Sequence, residues 1–458
     1  MTDLSSIVKA YDVRGVVPDQ LDARIARALG AAFARFAAAP RIVIARDMRE
    51  SGLELGAAFA EGVTAQGVDV VDAGLGSTDL LYYAAGSLDV PGAMFTASHN
   101  PAKYNGVKLC LAGAKPVGQE SGLAEIRAEA ESFLDTEVPS TGHPGTISTK
   151  DLLADYAAYM KSLVPDLGTI SPLKVVVDAG NGMGGHTVPT TFAGLPLDVT
   201  QMYFELDGSF PNHEANPIDP ENLRDLQVKV QEVGADLGLA FDGDADRCFV
   251  VDERGQIVSP STLTALIAAR ELEREPGATV IHNLITSRSV PAVVEELGGK
   301  AVRTRVGHSF IKAEMARTGA VFGGEHSGHF YFRDFWNADS GMLAALHTLA
   351  ALGNQDKPLS ELLQPYERFV ASGEINSTVD DQAARIAAIK AHYADKPQDE
   401  LDGLTVDLGD GAWFNVRASN TEPLLRLNVE AADEGRVAAV RDEVLALIRG
   451  DGPRAGKD

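Results

Sequence analysis

Cysteine is nearly absent: only Cys110 and Cys248 occur in 458 residues. Two cysteines exclude a disulfide framework and a cysteine-based zinc site. Both lie in apolar runs and are expected to be small buried hydrophobes. Long hydrophobic stretches are missing too, and none approaches the roughly 18 apolar residues of a membrane span. The start, MTDLSSIVKAYD, has neither a basic nor an apolar segment and does not read as a signal peptide. Positive charge is scarce, with 40 basic against 65 acidic residues and a formal net charge of −25. Nucleic acid and anionic membranes need a basic footprint, so neither is an expected partner. A local basic pocket in an acidic shell can still focus an anionic substrate. The expected location is the cytoplasm.

Hydrophobic residues make up 45% and charged residues 23% of the chain, ordinary values for a soluble globular protein. Its length suits three or four domains at roughly 100–200 residues each. Leu21, Ile25, Leu29, Phe33 and Phe36 recur at helical spacing. The runs 42–45, 68–73, 92–97 and 107–112 read as strands between helices. That alternation predicts βαβ units and a mostly parallel sheet. The turn-rich 137–149 marks a boundary. A second round has strands at 174–179, 197–203 and 236–242, with a hairpin over 249–258. A third has strands at 279–283 and 320–324 among three helices. The last stretch differs, with two strands and a closing helix, and its tail is expected to fray. The predicted organisation is α/β: three similar α/β domains over 1–150, 151–258 and 259–368, then a smaller α+β domain over 369–458.

Four polar clusters follow apolar strands, where open α/β sheets bind ligands. Thr96-Ala97-Ser98-His99-Asn100-Pro101 exposes a serine at a strand end, and its bland reading is an Asn-Pro turn with a capping serine. It lacks the G-x-S-x-G elbow of an esterase. Asp242, Asp244 and Asp246 alternate in one short loop before Arg247. Carboxylates at that density repel unless a cation neutralises them, and hard oxygen ligands suit Mg²⁺ or Ca²⁺. An EF-hand is excluded by Arg247 at the glycine position and by the preceding strand; a solvated acidic turn is the other reading. Glu325, His326, Ser327, Gly328 and His329 form a loop able to grip vicinal sugar hydroxyls, or merely a polar loop. Its two histidines lack an evident third zinc ligand. Arg417, Ser419, Asn420 and Thr421, with Arg426 beyond, have the donors of a phosphate cradle, or of a turn. Gly180–Gly185 matches a dinucleotide fingerprint on paper, but it opens the second unit and Asp178 would face the pyrophosphate.

The clusters in this order resemble the α-D-phosphohexomutase superfamily, and within it the bacterial phosphomannomutase/phosphoglucomutase branch. Tyr11-Asp12-Val13-Arg14-Gly15 and Arg46-Asp47-Met48-Arg49-Glu50-Ser51-Gly52 resemble two further family motifs. The resemblance implies three similar mixed α/β domains and a smaller fourth around a central cleft. It implies that Ser98 carries phosphate and that Asp242, Asp244 and Asp246 bind Mg²⁺ with a phosphate oxygen. Arg14, Lys108 and Arg247 would surround the transferring group, with His99 beside it and Tyr11 at the substrate. Lys108 and His329 are candidates for the general base. Glu325 and Ser327 would hold two sugar hydroxyls, while His308, His326, Gly328 and His329 line the sugar site. Arg417, Ser419, Asn420, Thr421 and Arg426 would bind the unreactive phosphate. The implied activity interconverts hexose 1- and 6-phosphates, with hexose 1,6-bisphosphate as activator and phosphosugars as the partners. Glucosamine mutases typically show Gln at the position of His326. Dual-specific relatives carry a lysine in a third-domain strand, where Asn283–Arg288 here offers apolar residues and Arg288. A metal-dependent sugar phosphatase, a phosphoglucosamine mutase and a non-catalytic sugar-phosphate binder are the alternatives.

Overall fold

A computed structural model describes residues 2–419 and 423–450. The chain divides into two compact units, Met1–Leu263 with Ser327–Leu362, and Thr264–His326 with the chain from Leu363 onward. In the first unit, one sheet runs in the order Val13–Val16, Tyr104–Leu111, Gly92–Phe95, Arg41–Arg46, Asp69–Leu75, Ile147–Thr149. Arg41–Arg46 pairs parallel to both its neighbours. Tyr104–Leu111 is antiparallel to both of its own, so this sheet is mixed rather than mostly parallel. The reason is local: Gly92–Phe95 and Tyr104–Leu111 are joined by the Ser98 loop alone, too short for a crossover helix. Helices Ala23–Ala37 and Ser51–Ala65 touch backbone to backbone, since a Cβ on Gly30 would stand 2.1 Å from the Phe59 carbonyl oxygen. Phe33, Phe59 and Phe95 form the centre of this core.

The second sheet runs Ile257–Val258, Cys248–Asp252, Leu237–Phe241, Leu173–Asp178, Leu197–Met202. Leu237–Phe241 and Cys248–Asp252 are buried at every position, as their unbroken apolar runs require. They pair antiparallel with Phe241 opposite Cys248, so residues 242–247 are the turn between them. Cys110 and Cys248 are both buried and form no disulfide. Helix Gly341–Gly353, buried throughout, packs on Leu153–Leu163.

In the second unit, Thr279–Asn283 lies between Lys300–Thr304 and Phe322–Gly324, parallel to both. The last sheet is antiparallel, in the order Val370–Thr378, Leu424–Ala431, Ala412–Ala418, Leu404–Gly409, Gln398–Asp399. Helices Gln382–His392 and Glu434–Arg449 cover its core.

Asp79 joins three segments of the first unit. Its carboxylate accepts from Ser77, from the Tyr156 hydroxyl at 2.9 Å and from Ser340 Oγ at 2.6 Å. Burial pushes its carboxyl up to about 6, against the lowering effect of those hydroxyls. A carboxyl raised above its unfolded value of 3.8 binds the extra proton in the folded state. Its contribution to stability is full below pH 3.8 and is lost as pH rises through about 6. Asp79→Asn is expected to flatten stability between roughly pH 4 and 6, by up to about 3 kcal/mol. Urea titrations of both proteins across that range check this.

Candidate active site

Ser98 sits just past Gly92–Phe95, buried, with φ at +49°. Its hydroxyl donates to Asp242 Oδ2 at 2.9 Å and lies 3.2 Å from His99 Nδ1. The turn that carries Asp242 comes this close because Gly243 has no side chain: a Cβ there would stand 2.5 Å from the Ser98 carbonyl oxygen. Gly182 serves the same approach, its absent Cβ lying 2.7 Å from the Gly243 carbonyl oxygen. The glycine-rich loop thus has a packing role, and Asp178 is held by His213 Nε2 at 2.9 Å.

Asp242, Asp244 and Asp246 are all buried, with one oxygen of each within 4.8 Å of the others. Lys108 Nζ donates to Asp244 at 2.7 Å and to Asp246 at 2.6 Å. Thr78 Oγ1 donates to Asp244 at 2.6 Å, and Arg247 Nε to Asp242 at 2.9 Å. Burial would raise the Asp244 carboxyl, but Lys108 beside it holds it well below the usual carboxylate range. Burial pushes the Asp242 carboxyl up to about 8 in spite of Arg247. Burial acts to lower the Lys108 ammonium, yet Asp244 and Asp246 hold it well above its ordinary value. In this arrangement Lys108 is a charged donor to two of the three carboxylates. One oxygen each of Asp244 and Asp246 is buried without a hydrogen-bond partner. Hard, desolvated oxygens around a point where an ammonium already sits fit a divalent cation such as Mg²⁺.

Burial, then Arg247 and Arg14, push the His99 imidazole down to about 3, so it stays neutral. Its Nδ1 accepts from Arg247 Nη2 at 2.8 Å. Arg14 pairs with Asp12 at 2.6 Å and donates to Asn100. Tyr11, half-buried, lies three residues before it. His329 Nε2 stands 3.9 Å from Asp246 and its Nδ1 lies 3.0 Å from Ser327 Oγ. Gly328 has φ at +85°, and a Cβ would meet the Phe249 ring at 2.6 Å, so backbone and packing both demand glycine. The first unit therefore gathers Ser98, His99, Lys108, the three aspartates, Arg247 and His329. Thr78 was missed; a threonine at a helix start carries no sequence signal of its partner.

In the second unit Glu325 is buried, and its Oε1 accepts from Asn283 Nδ2 at 3.0 Å and the Gly307 amide at 3.3 Å. Asn283 also reaches His326 Nδ1 at 3.3 Å. Sequence reading gave Asn283 no role, since only pairing in the sheet brings it beside Glu325. Arg417 lies inside a strand rather than on a turn, directly opposite Arg426. Glu374, also missed, pairs with both, at 2.6 Å from Arg417 and 3.6 Å from Arg426. Ser419 is buried. Asn420, Thr421 and the tail expected to fray lie outside the described residues, as does the His308 side chain.

Residues 5–135, 154–255 and 259–369 match phosphoglucomutase/phosphomannomutase alpha/beta/alpha domains I, II and III, and 374–447 match the family's C-terminal domain. The chain belongs to the phosphoglucomutase/phosphomannomutase family. It is 40% identical over 451 residues to "Phosphohexose mutases" of Xanthomonas campestris, covering 96% of this chain and 99% of that one. It is 39% identical over 454 residues to the phosphomannomutase of Salmonella montevideo, covering 96% and 98%. A family protein of Burkholderia thailandensis, solved by crystallography, superposes with a TM-score of 0.85 at 33% identity, covering 99% of each chain. Family fold and observed fold agree: α/β, with mixed sheets and a distinct C-terminal domain.

Gly243→Ala forces the Asp242–Asp246 turn away from the Ser98 loop by the clash given above. Activity is expected to fall at least about tenfold, since small misplacements of reacting groups are costly. Steady-state assays beside thermal melts check that the fold survives.

Proposed function

We propose that this chain is a phosphohexomutase that interconverts hexose 1-phosphate and hexose 6-phosphate through phosphate carried on Ser98. The observation that carries this reading is the Ser98 hydroxyl, 2.9 Å from Asp242 in an acidic turn neutralised by Lys108 and Arg247. A serine beside buried carboxylates and two cations suits phosphoryl transfer, which depends on positioning and charge neutralisation. Asp242, Asp244 and Asp246 would hold Mg²⁺. When bound, that ion offsets the negative charge of the phosphoryl oxygens.

The phosphoryl group passes from Ser98 Oγ to O6 of a hexose 1-phosphate; the P–Oγ bond breaks and the P–O6 bond forms. The O6 proton goes to a general base, for which Lys108 and His329 are the candidates. The 1,6-bisphosphate turns over, its C1 phosphate returns to Ser98, and hexose 6-phosphate leaves. Hexose 1,6-bisphosphate would also act as the activator that charges Ser98. Arg14 and Arg247 bind the transferring group, with His99 and Tyr11 beside it. Glu325 and Ser327 read sugar hydroxyls, with His308, His326, Gly328 and His329 lining the sugar site. Arg417, Arg426, Ser419, Asn420 and Thr421 bind the second phosphate. The four functional segments are taken to be 1–150, 151–258, 259–368 and 369–458. Mannose and glucose phosphates are the proposed substrates, and His326, where glucosamine mutases typically have Gln, supports them over glucosamine. No described helix is long and apolar enough to cross a membrane. Two buried cysteines that form no disulfide support a cytoplasmic location. The charge of −25 argues against nucleic acid.

Intact mass after incubation with glucose 1,6-bisphosphate tests the central claim: one phosphate on the wild type and none on Ser98→Ala. Coupled assays with mannose and glucose 1-phosphate then measure turnover; immediate release of inorganic phosphate would make the chain a phosphatase. Glucose and mannose share O3 and O4, so Glu325→Ala is expected to lower kcat/KM for both alike, by about ten- to a hundred-fold. A loss confined to one sugar would show that the loop reads C2 instead.

A further inference from the structure

The segment Arg46–Gly52 has had no role so far. Within it, Arg49 is buried, and its guanidinium uses all five N–H groups. Nε donates to Asp47 Oδ2 at 3.2 Å. Nη1 donates to the carbonyls of Pro101 at 3.0 Å and Tyr104 at 2.9 Å. Nη2 donates to the carbonyls of Ser98 at 2.8 Å and Asn100 at 2.6 Å. Three carbonyls of the Ser98 loop and one at the start of the next strand thus converge on a single planar cation. The Phe210 ring covers its face with the guanidinium carbon 5.2 Å from the ring centre.

Asp47 completes the arrangement from the other side. It is fully buried and accepts from the Arg49 amide at 2.9 Å. The Thr96 side chain beside it acts to lower its carboxyl, against the larger effect of burial. Thr96 Oγ1 in turn accepts from the Ser98 amide at 2.8 Å. Ser98 is therefore held by its N–H through Thr96, which lies beside Asp47, and by its C=O through Arg49. Between those two holds the serine backbone stays at φ +49°, a left-handed conformation that a non-glycine residue keeps only when its surroundings over-determine it.

We propose that Arg49 is a positioning residue whose planar fork sets where Ser98 Oγ stands beside Asp242. This rests on the reading of Ser98 as the phosphate carrier. A lysine at 49 keeps the charge but offers a point donor in place of a fork, so it cannot hold four carbonyls in one plane. The contacts to sugar and to the second phosphate are untouched by the change.

The test uses the full-length chain with Mg²⁺, hexose 1-phosphate and hexose 1,6-bisphosphate. Arg49→Lys is expected to lower kcat about 100-fold while KM for hexose 1-phosphate stays within about threefold. Single-turnover transfer from preloaded phospho-Ser98 is expected to slow by the same factor, after normalising to the folded fraction by near-UV circular dichroism. A loss that merely tracks the folded fraction overturns the proposal, as does a rise in KM at unchanged kcat. Should Arg49→Lys fail to fold, Thr96→Val keeps the shape and removes only the second hold on the same serine backbone, the Thr96–Ser98 hydrogen bond. It is expected to lower kcat about tenfold with KM unchanged, and wild-type kcat in that variant overturns the proposal. A wild type that never carries phosphate on Ser98 overturns the underlying reading; a phosphorylated wild type matched by its Arg49→Lys variant overturns the role of Arg49 alone.

Discussion

Three carboxylates buried in one six-residue turn are the constraint on which the first unit depends. Taking each ionised group out of water costs several kcal/mol unless charge and hydrogen bonds replace the water. Asp242 meets Arg247, its neighbour five residues on, while Asp244 and Asp246 rely on Lys108 from another sheet. Lys108 is delivered by the antiparallel strand Tyr104–Leu111, opposite Met94. That pairing also fixes the loop between the two strands, and so Ser98. One short connection therefore brings the serine and its neutralising cation to the same acidic turn. Glycine at 243 permits the last approach.

The second unit follows the same rule with fewer charges. Glu325 is buried at a strand end and is held by Asn283 and a backbone amide. Arg417 and Arg426 face each other across two strands, and Glu374, paired with both, offsets part of the repulsion. In each case a group suited to a ligand is held in place by a partner from a different strand. Such pairs hold a site in shape while leaving donors that can be exchanged for those of a substrate.

The buried helix Gly341–Gly353 and the strand Lys300–Thr304 show why parts of the fold were illegible. The helix is buried all round, so its apolar residues show no 3.6-residue stripe. The strand is exposed or half-buried except at its last residue and lacks an apolar run. Strands such as Leu237–Phe241, apolar along their length and ended by a charged turn, were plain from the residues alone.

The sequence by itself determined which chemical groups are present, their grouping after apolar strands, and the α/β alternation, because these depend on composition and local period. It determined the family through motifs that each occupy a few consecutive residues. Only the tertiary structure decided that Lys108 is an ion-paired donor, that Asn283 holds Glu325, that Glu374 joins two arginines, and that Arg49 clamps the Ser98 loop. Those partners lie between 42 and 138 residues apart along the chain, with Arg49 and Ser98 separated by 49. Charge pairing at such separations is set by strand order and register, which no local pattern of residues encodes.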